Sequence, residues 1–390
     1  MDLIYLDHNA TTPLDPEAFE AMRPWFTERF GNASAAYALG HLSNGAVVAA
    51  REQVAALVGC TPAEIVFTSG GTESLNHAFR GVWEAFPMKR HLVTTAVEHP
   101  AVRALVGWWK GQWGEVSDVG VDGEGRLDLA ELERAVRPDT ALVAVMAANN
   151  ESGVLFPVDE AARIAKSKGA LFLVDATQAM GKIPVNAGAW GADLLTLSGH
   201  KFYGPKGTGL LMLRRGVRLR PLVLGGSQER GRRGGTENVP GIVGLGKAAE
   251  LALAHLQDME RVRGFRDAME KGLLADIPEI RIHGEAAERL PNTSLVGFAG
   301  IEGEALQLKL AEQGICVSTG SACSTGMREP SHVLRAMKVP DTYARGTVRF
   351  SLGRETTPED MRKVQDLLPG LVAELRQSPN IRTFNVSDSQ

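Results

Sequence analysis

Between Glu64 and Leu213 the chain alternates short apolar runs, EIVFTS, HLVTTAV, ALVAVMAAN, LFLVDA, DLLTLSG and GLLMLR, with stretches of helical composition. The runs are apolar at nearly every position, as strands covered on both faces must be. Strand and helix in alternation predict an α/β fold with a mostly parallel sheet. In open sheets of this kind ligands bind beyond the carboxyl ends of the strands. Polar residues gather at those ends: Ser69 to Thr72 after the first run, Glu98 and His99 after the second, Asn149 to Glu151 after the third. Asp175 follows the fourth and Ser198 to Lys201 the fifth. Five strand ends are thus expected to face one rim.

Two helical stretches, PEAFEAMRPWFTERFG and LSNGAVVAAREQVAALVG, precede this region and bracket GNASAAYALG; they are expected to pack with the C-terminal lobe. From about Asn238 one long helical stretch is expected to run to Leu274 as a connector. Beyond it TSLVGF, ALQLKLAEQG, ICVST, TVRFSLG and PEDMRKVQDLLPGLVAELR read as a smaller α/β unit. A chain of 390 residues exceeds what one core usually holds, roughly 250–300 residues. The expected division is a large unit over 16–259, a small one over 1–15 with 260–376, and a frayed tail over 377–390.

Composition narrows the classes. A hydrophobic share of 44% and a charged share of 23% exclude a disordered chain, and runs such as ALVAVMAA are too short to span a bilayer. A net charge of -4 gives no footing for nucleic acid or an anionic membrane as main partner. The start, MDLIYLDHNATTP, places Asp2 where a secretory signal carries positive charge, so the expected location is the cytoplasm. Three cysteines are too few for a disulfide framework, and their odd number leaves a thiol free.

Five segments carry candidate chemistry. SGGTES, from Ser69 to Ser74, sets a glycine pair before a helix, where backbone N–H groups can meet an anion; the plainer reading is a helix capped by Thr72. TLSGHKFYGPKGTG delivers Lys201 just past a strand, beside His200. A lysine condenses with a carbonyl when burial or neighbouring cations leave its amine unprotonated. Lys206, in GPKGTG, reads as an exposed rival. LFLVDATQAMG ends an apolar strand with Asp175, whose carboxylate needs a positive partner; a pyridinium nitrogen is one, and a helix cap or a metal are the others. Gln178 could reach the same ligand. VSTGSACSTG places Cys323 in loop composition, which implies mobility and exposure, whereas Cys60 and Cys316 read as buried structural thiols. Arg349, in TVRFSLG, suits a carboxylate, unless it is an edge-strand arginine with its head in water.

Together these segments resemble the cysteine desulfurases of the NifS/IscS type, in the class V aminotransferase group of fold-type-I pyridoxal-phosphate enzymes. The likeness runs in family order from YLDHNATTP through EIVFTSGGTES, AVEHPAV, AANNESGV, VDATQAMGKIPV, SGHKFYGPKGTG and GGSQERGRRGGTENVPGIVG to STGSACSTG, EPSHVLRAM and VRFSLGRETT. It implies a PLP-dependent transferase fold of type I, with a mostly parallel seven-stranded sheet in a large domain plus a smaller α/β domain. The implied activity converts L-cysteine to L-alanine and leaves the sulfur as a persulfide on Cys323. A sulfur-acceptor protein of iron-sulfur cluster assembly or another thiolation pathway would then take it. The same fold also hosts aminotransferases, which have no use for a mobile thiol, and selenocysteine lyases.

The resemblance also assigns roles. Lys201 would bond the aldehyde of pyridoxal 5'-phosphate, Asp175 would pair with the ring nitrogen, His99 would stack on the ring, and Gln178 would sit near the ring hydroxyl. Gly71, Thr72, Ser198 and His200 would hold the phosphate, and Thr236 would reach the phosphate of the neighbouring subunit of a homodimer. Asn150 and Arg349 would bind the substrate carboxylate, while Asn9, Ala10 and Thr11 would line the mouth. No metal is implied. A positive field from His99 is expected to lower the Cys323 thiol from its free value near ~8.5. Two departures stand out: Ala33 and Tyr37 replace a proline and a histidine of the family's GNPSS region, and RSGT appears as Arg233, Gly234, Gly235, Thr236.

Overall fold

The computed structural model describes residues 3–319 and 330–377. Seven strands form the main sheet: β1 (Ile65–Thr68), β2 (His91–Thr95), β3 (Glu115–Val119), β4 (Thr140–Met146), β5 (Leu171–Asp175), β6 (Leu194–Ser198) and β7 (Gly209–Leu213). Their spatial order is β1-β7-β6-β5-β4-β2-β3. All neighbours from β6 to β3 pair in parallel, and β7 runs antiparallel between β1 and β6. The apolar runs are continuous because β1, β2, β4, β6 and β7 are buried at every residue. One strand escaped the hydrophobic pattern. Glu115–Val119 is the outer edge, pairs among the described residues with β2 alone and buries only Val119, so its sequence EVSDV carries the polarity of an edge.

The helices Pro16–Met22 and Ala38–Val58 pack against Val239–Ala254, not against the C-terminal lobe. Ala18, Val47 and Val54 share a core with Ile65 and Phe67 of β1 and with Ile242 and Leu245. Helix contact is close because Gly246 has no Cβ; one there would lie 2.7 Å from Ala50 Cα. The expected single connector is two helices, Val239–Ala254 and Met259–Asp276, bent by 54° around the tight turn Leu256–Asp258. The bend moves the chain from one core to another, since Ala248 and Ala249 lie in the first while Met259 and Val262 lie in the second. Among the described residues no single helix is long and apolar enough to cross a membrane.

The second core gathers Ile4 and Leu6 with Met269, Phe298, Phe350 and Leu368. Its sheet is antiparallel, ordered β10-β11-β9-β8, from β8 (Ile280–Ile282), β9 (Thr293–Phe298), β10 (Ser318–Thr319) and β11 (Thr347–Ser351). Beside it Ile4–Tyr5 pairs in parallel with Ile315–Cys316. The chain therefore starts in the second core, and residues 7 to 12 cross to the first at the rim of the large sheet.

Candidate active site

At the carboxyl ends of β1, β4, β5 and β6 lies a cavity of about 490 Å³, within the usual range for a small-molecule site. Gly71, Thr72, His99, Asn150, Asp175, Gln178, Ser198, His200, Lys201 and Thr11 all line it. The rim expected from the strand ends is a real surface.

One end is built from β1 and the helix Gly71–Ala85. Gly70 caps this helix with φ +151° and ψ -179°, a conformation reserved for glycine, so Thr72 sits in the first turn and is not the cap. First-turn N–H groups have no acceptor within their own helix and carry the positive end of its dipole. Glu73 closes the turn from outside, its Oε2 accepting from Ser69 N at 2.8 Å. A Cβ at Gly71 would stand 3.2 Å from Thr177 Oγ1, and one at Gly209 would stand 2.6 Å from Gly70 Cα, so the cradle depends on missing side chains. His200 Nδ1 lies 3.1 Å from Thr11 Oγ1. Burial pushes this imidazole down to about 4, with Lys201 and Lys206 adding, so it serves as a neutral hydrogen-bonding group. These features fit a phosphate.

The middle of the cavity holds Asp175 and His99. Asp175 Oδ1 accepts from Thr177 N at 3.0 Å and from Thr196 Oγ1 at 3.4 Å. Both bonds fall on one oxygen, so the local turn does not exhaust the carboxylate, which fits a protonated ring nitrogen. His99 caps the helix Pro100–Gly111, its Nδ1 accepting from Ala101 N at 3.1 Å. An accepting Nδ1 leaves the proton on Nε2. Burial lowers the pKa of this ring; Asp175 opposes that shift, and Lys201 and His332 add to it. The lowered pKa and the accepting Nδ1 both favour the neutral ring, which weighs against His99 as the source of a positive field. Behind it Glu98 is fully buried, with Oε1 bonded to Thr95 and to Met146 N and Oε2 without a partner among the described residues.

Lys201 ends the tight turn Gly199–Lys201 after β6, and its Nζ donates to the carbonyls of Asn9 at 2.7 Å and Ala10 at 2.8 Å. Lys206 is exposed, as its sequence suggests. Asn9 differs from expectation. At 1% exposure it lies beneath the cavity and not at its mouth, and its side chain is committed to Thr293, Lys182, Asn292 and the Asn150 carbonyl. Thr11 does reach the cavity.

Arg349 is not an edge arginine. Strand β11 is paired on both sides, and the guanidinium is buried, with Nη1 on the Asn150 carbonyl at 2.8 Å, Nη2 on Asp7 Oδ1 at 2.7 Å, and Nε without a partner among the described residues. Thr236 is exposed and lines a separate cleft with Ser69, Glu229 and Arg233, so it does not reach the cavity of its own chain. Its loop is anchored by Glu229, which meets Arg51 in a buried two-point pair at 2.7 and 2.8 Å and accepts from Phe67 N at 3.1 Å. Arg233 binds Glu73 at 3.0 Å. The Gly234 departure has a physical reason, because a Cβ there would lie 2.6 Å from Gly225 Cα. Tyr37 is 59% exposed and nothing in the structure explains its replacement of a histidine.

Cys323 lies outside the described residues. Cys60 and Cys316 are half-buried, less enclosed than expected. Burial, with Glu64 adding, pushes the Cys60 thiol up to about 12, which leaves it unreactive. Sequence reasoning missed Lys182, and it set Glu98 and Glu151 at the rim although both are buried and do not line the cavity. The signal was present: each charge stands inside a quoted motif, next to or near a residue assigned a role.

The sequence model of the family described as aminotransferase class-V matches residues 4–364. A cysteine desulfurase of Gluconacetobacter diazotrophicus is 53% identical over 97% of this chain and 95% of its own length. The cysteine desulfurase NifS of Azotobacter vinelandii is 48% identical over 96% of this chain and 93% of its own. A solved NifS-like protein superposes with a TM-score of 0.90 at 39% identity, covering 96% of this chain and all of that one.

Proposed function

For a chain that belongs to the class-V aminotransferase family and is a pyridoxal-phosphate-dependent cysteine desulfurase, we propose that Lys201 holds the cofactor and that Cys323 receives the sulfur. The observation that carries this reading is the Lys201 amine, pinned on two backbone carbonyls in the cavity shared by Asp175, His99 and the Gly70–Thr72 turn. Bound there, pyridoxal phosphate supplies an electron sink that acidifies the Cα proton of cysteine and weakens its carbon–sulfur bond.

The chain's own groups do the rest. Gly71, Thr72, Ser198 and His200 hold the phosphate, Asp175 keeps the ring nitrogen protonated, and neutral His99 covers the ring face. Gln178 turns its amide toward the ring oxygen. Asn150 and Arg349 fix the substrate carboxylate, with Thr11 at the entrance and Ala10 anchoring Lys201. Nζ of Lys201, once displaced by substrate, removes the Cα proton and returns it. The Cys323 thiolate then attacks the substrate sulfur: the carbon–sulfur bond breaks, a sulfur–sulfur bond forms, and alanine leaves with a proton in place of sulfur.

Thr236 reaches the phosphate of a second copy, so the working unit is a homodimer of two-domain subunits divided near residue 260. A sulfur-acceptor protein of iron-sulfur assembly or another thiolation route then discharges the persulfide, in a cytoplasm that keeps the thiol reduced.

The test is direct. Purified protein should be yellow, and mass spectrometry after borohydride reduction should place the adduct on Lys201. Lys201→Ala should be colourless, and Cys323→Ala should lose sulfur transfer while keeping the colour. An adduct on another lysine, or full sulfur release by Cys323→Ala, overturns the assignment.

A further inference from the structure

Lys182 is a buried lysine without a role in the scheme above. Its ammonium nitrogen lies 2.7 Å from Gln178 Oε1 and 3.1 Å from Asn9 Oδ1, two oxygens of neutral amides. At 6% exposure it is costly to bury, since a lysine surrounded by neutral partners keeps its charge only with difficulty. Burial, joined by the nearby Lys201 and Arg349, lowers its pKa well below the usual value. Charged or neutral, its nitrogen has hydrogens to give to both oxygens.

The arrangement fixes an orientation. Gln178 Nε2 lies 2.9 Å from the Asn9 carbonyl, which can only accept, while Lys182 takes the oxygen end. A flipped amide would set two carbonyl oxygens against each other at Asn9 and lose the bond from Lys182. Only one hydrogen of the Gln178 amide nitrogen is used on Asn9, and Gln178 lines the cavity. The second hydrogen is left for a ligand. The same Asn9 carbonyl accepts from Lys201 at 2.7 Å, so Lys182, Gln178 and Lys201 meet on one residue.

We propose that Lys182 is a positioning residue, which holds the Gln178 amide with its N–H toward the ring oxygen of the cofactor bound at Lys201 and thereby sets the titration of that bond. The proposal rests on the assignment of Lys201 made above. A donor at the ring oxygen favours the deprotonated link, where that oxygen has lost the neighbouring imine proton. Losing the donor raises the midpoint.

The experiment titrates the visible absorbance of the holoenzyme against pH for wild type, Lys182→Met, Gln178→Leu and the double variant. The expected result is a midpoint raised by about one pH unit in each single variant. The double variant should match Gln178→Leu, because Lys182 acts through Gln178. A Lys182→Met midpoint equal to wild type, or a double variant that sums the two shifts, overturns the proposal. Lys182→Gln keeps an N–H donor and should hold the wild-type midpoint within a few tenths of a unit, so a shift as large as that of Gln178→Leu also overturns it, whether or not the methionine variant folds. Failure of the Lys201 assignment looks different: the wild type itself then yields no borohydride adduct on Lys201.

Discussion

Arg349 gives one nitrogen to the carboxylate of Asp7, 342 residues away in sequence, at 2.7 Å. Its other terminal nitrogen holds the carbonyl of Asn150 at 2.8 Å. Three distant segments thus converge on one guanidinium, and the carboxylate of Asp7 and the carbonyl of Asn150 orient the planar group before a ligand arrives. Preorganisation of this kind reduces the ordering cost of binding. Lysine can satisfy only a point contact. Arg349→Lys should therefore raise KM for cysteine by at least about 10-fold while the cofactor absorbance is unchanged. Steady-state kinetics with alanine as the measured product decide it; an unchanged KM removes Arg349 from substrate binding.

The second prediction concerns pH. Burial pushes the Glu98 carboxyl up to about 8, against opposing bonds from Thr95 and Met146 N, with the charge of Asp175 adding to the rise. In the unfolded chain the group titrates near its ordinary 4.5. Between those values the folded state holds a proton that the unfolded state releases. The contribution of Glu98 to stability is complete below 4.5 and is lost as pH rises through 8. Glu98→Gln cannot titrate, so its stability should fall less between about pH 6 and about pH 8, by up to about 1.4 kcal/mol per pH unit. Urea unfolding at the two pH values measures this, and parallel losses in both proteins would exclude Glu98 as the titrating group.

Gly209→Ala tests the cradle. The added methyl meets Gly70 Cα and the Leu197 carbonyl at 2.6 Å, both of them backbone, so neither neighbour can swing away. A cost of about 2–3 kcal/mol is expected, with weaker retention of the cofactor because the displaced residue is the cap of the Gly71–Ala85 helix. Thermal unfolding and equilibrium dialysis would show both effects; wild-type retention would separate Gly70 from phosphate binding.

Arg51→Ala leaves Glu229 buried and unpaired, and breaking such a pair costs about 3–5 kcal/mol. Arg51→Met with Glu229→Gln should be milder, since it leaves no buried charge. The loop bearing Thr236 loses its anchor in either case, so the proposed homodimer should loosen as well. Analytical ultracentrifugation of the double variant checks this, and an unaltered dimer would detach Glu229 from that loop's role.

Much of the large sheet was legible because its strands are apolar at every position and end in polar residues. Lys201, Asp175, His99 and Ser198 stand immediately at those ends, where a reading of strand and rim finds them. Strand β3 was not legible, because an edge strand has a solvent face and EVSDV resembles a loop. The packing of the helix Ala38–Val58 was misread since Val47, Ala50 and Val54 mark a buried stripe without naming what covers it. The charge state of His99 depends on burial and on the Ala101 N–H, neither of which is written in AVEHPAV. The family resemblance alone places Asn9 at the entrance; its contacts to Ser351, Asn150, Thr293, Gln178, Lys182, Lys201 and Asn292 come from segments far apart in the chain.

The crossing of residues 7 to 12 between the two cores has a consequence for biosynthesis. Asn9 leaves the ribosome long before Ser351, yet its backbone N–H binds that serine, and Ile4 pairs with Ile315. During translation this earlier segment must wait for another, more than three hundred residues later, before the floor under Lys201 can be laid. A nascent chain halted at residue 300 could assemble the large sheet and still lack a finished seat for the vitamin.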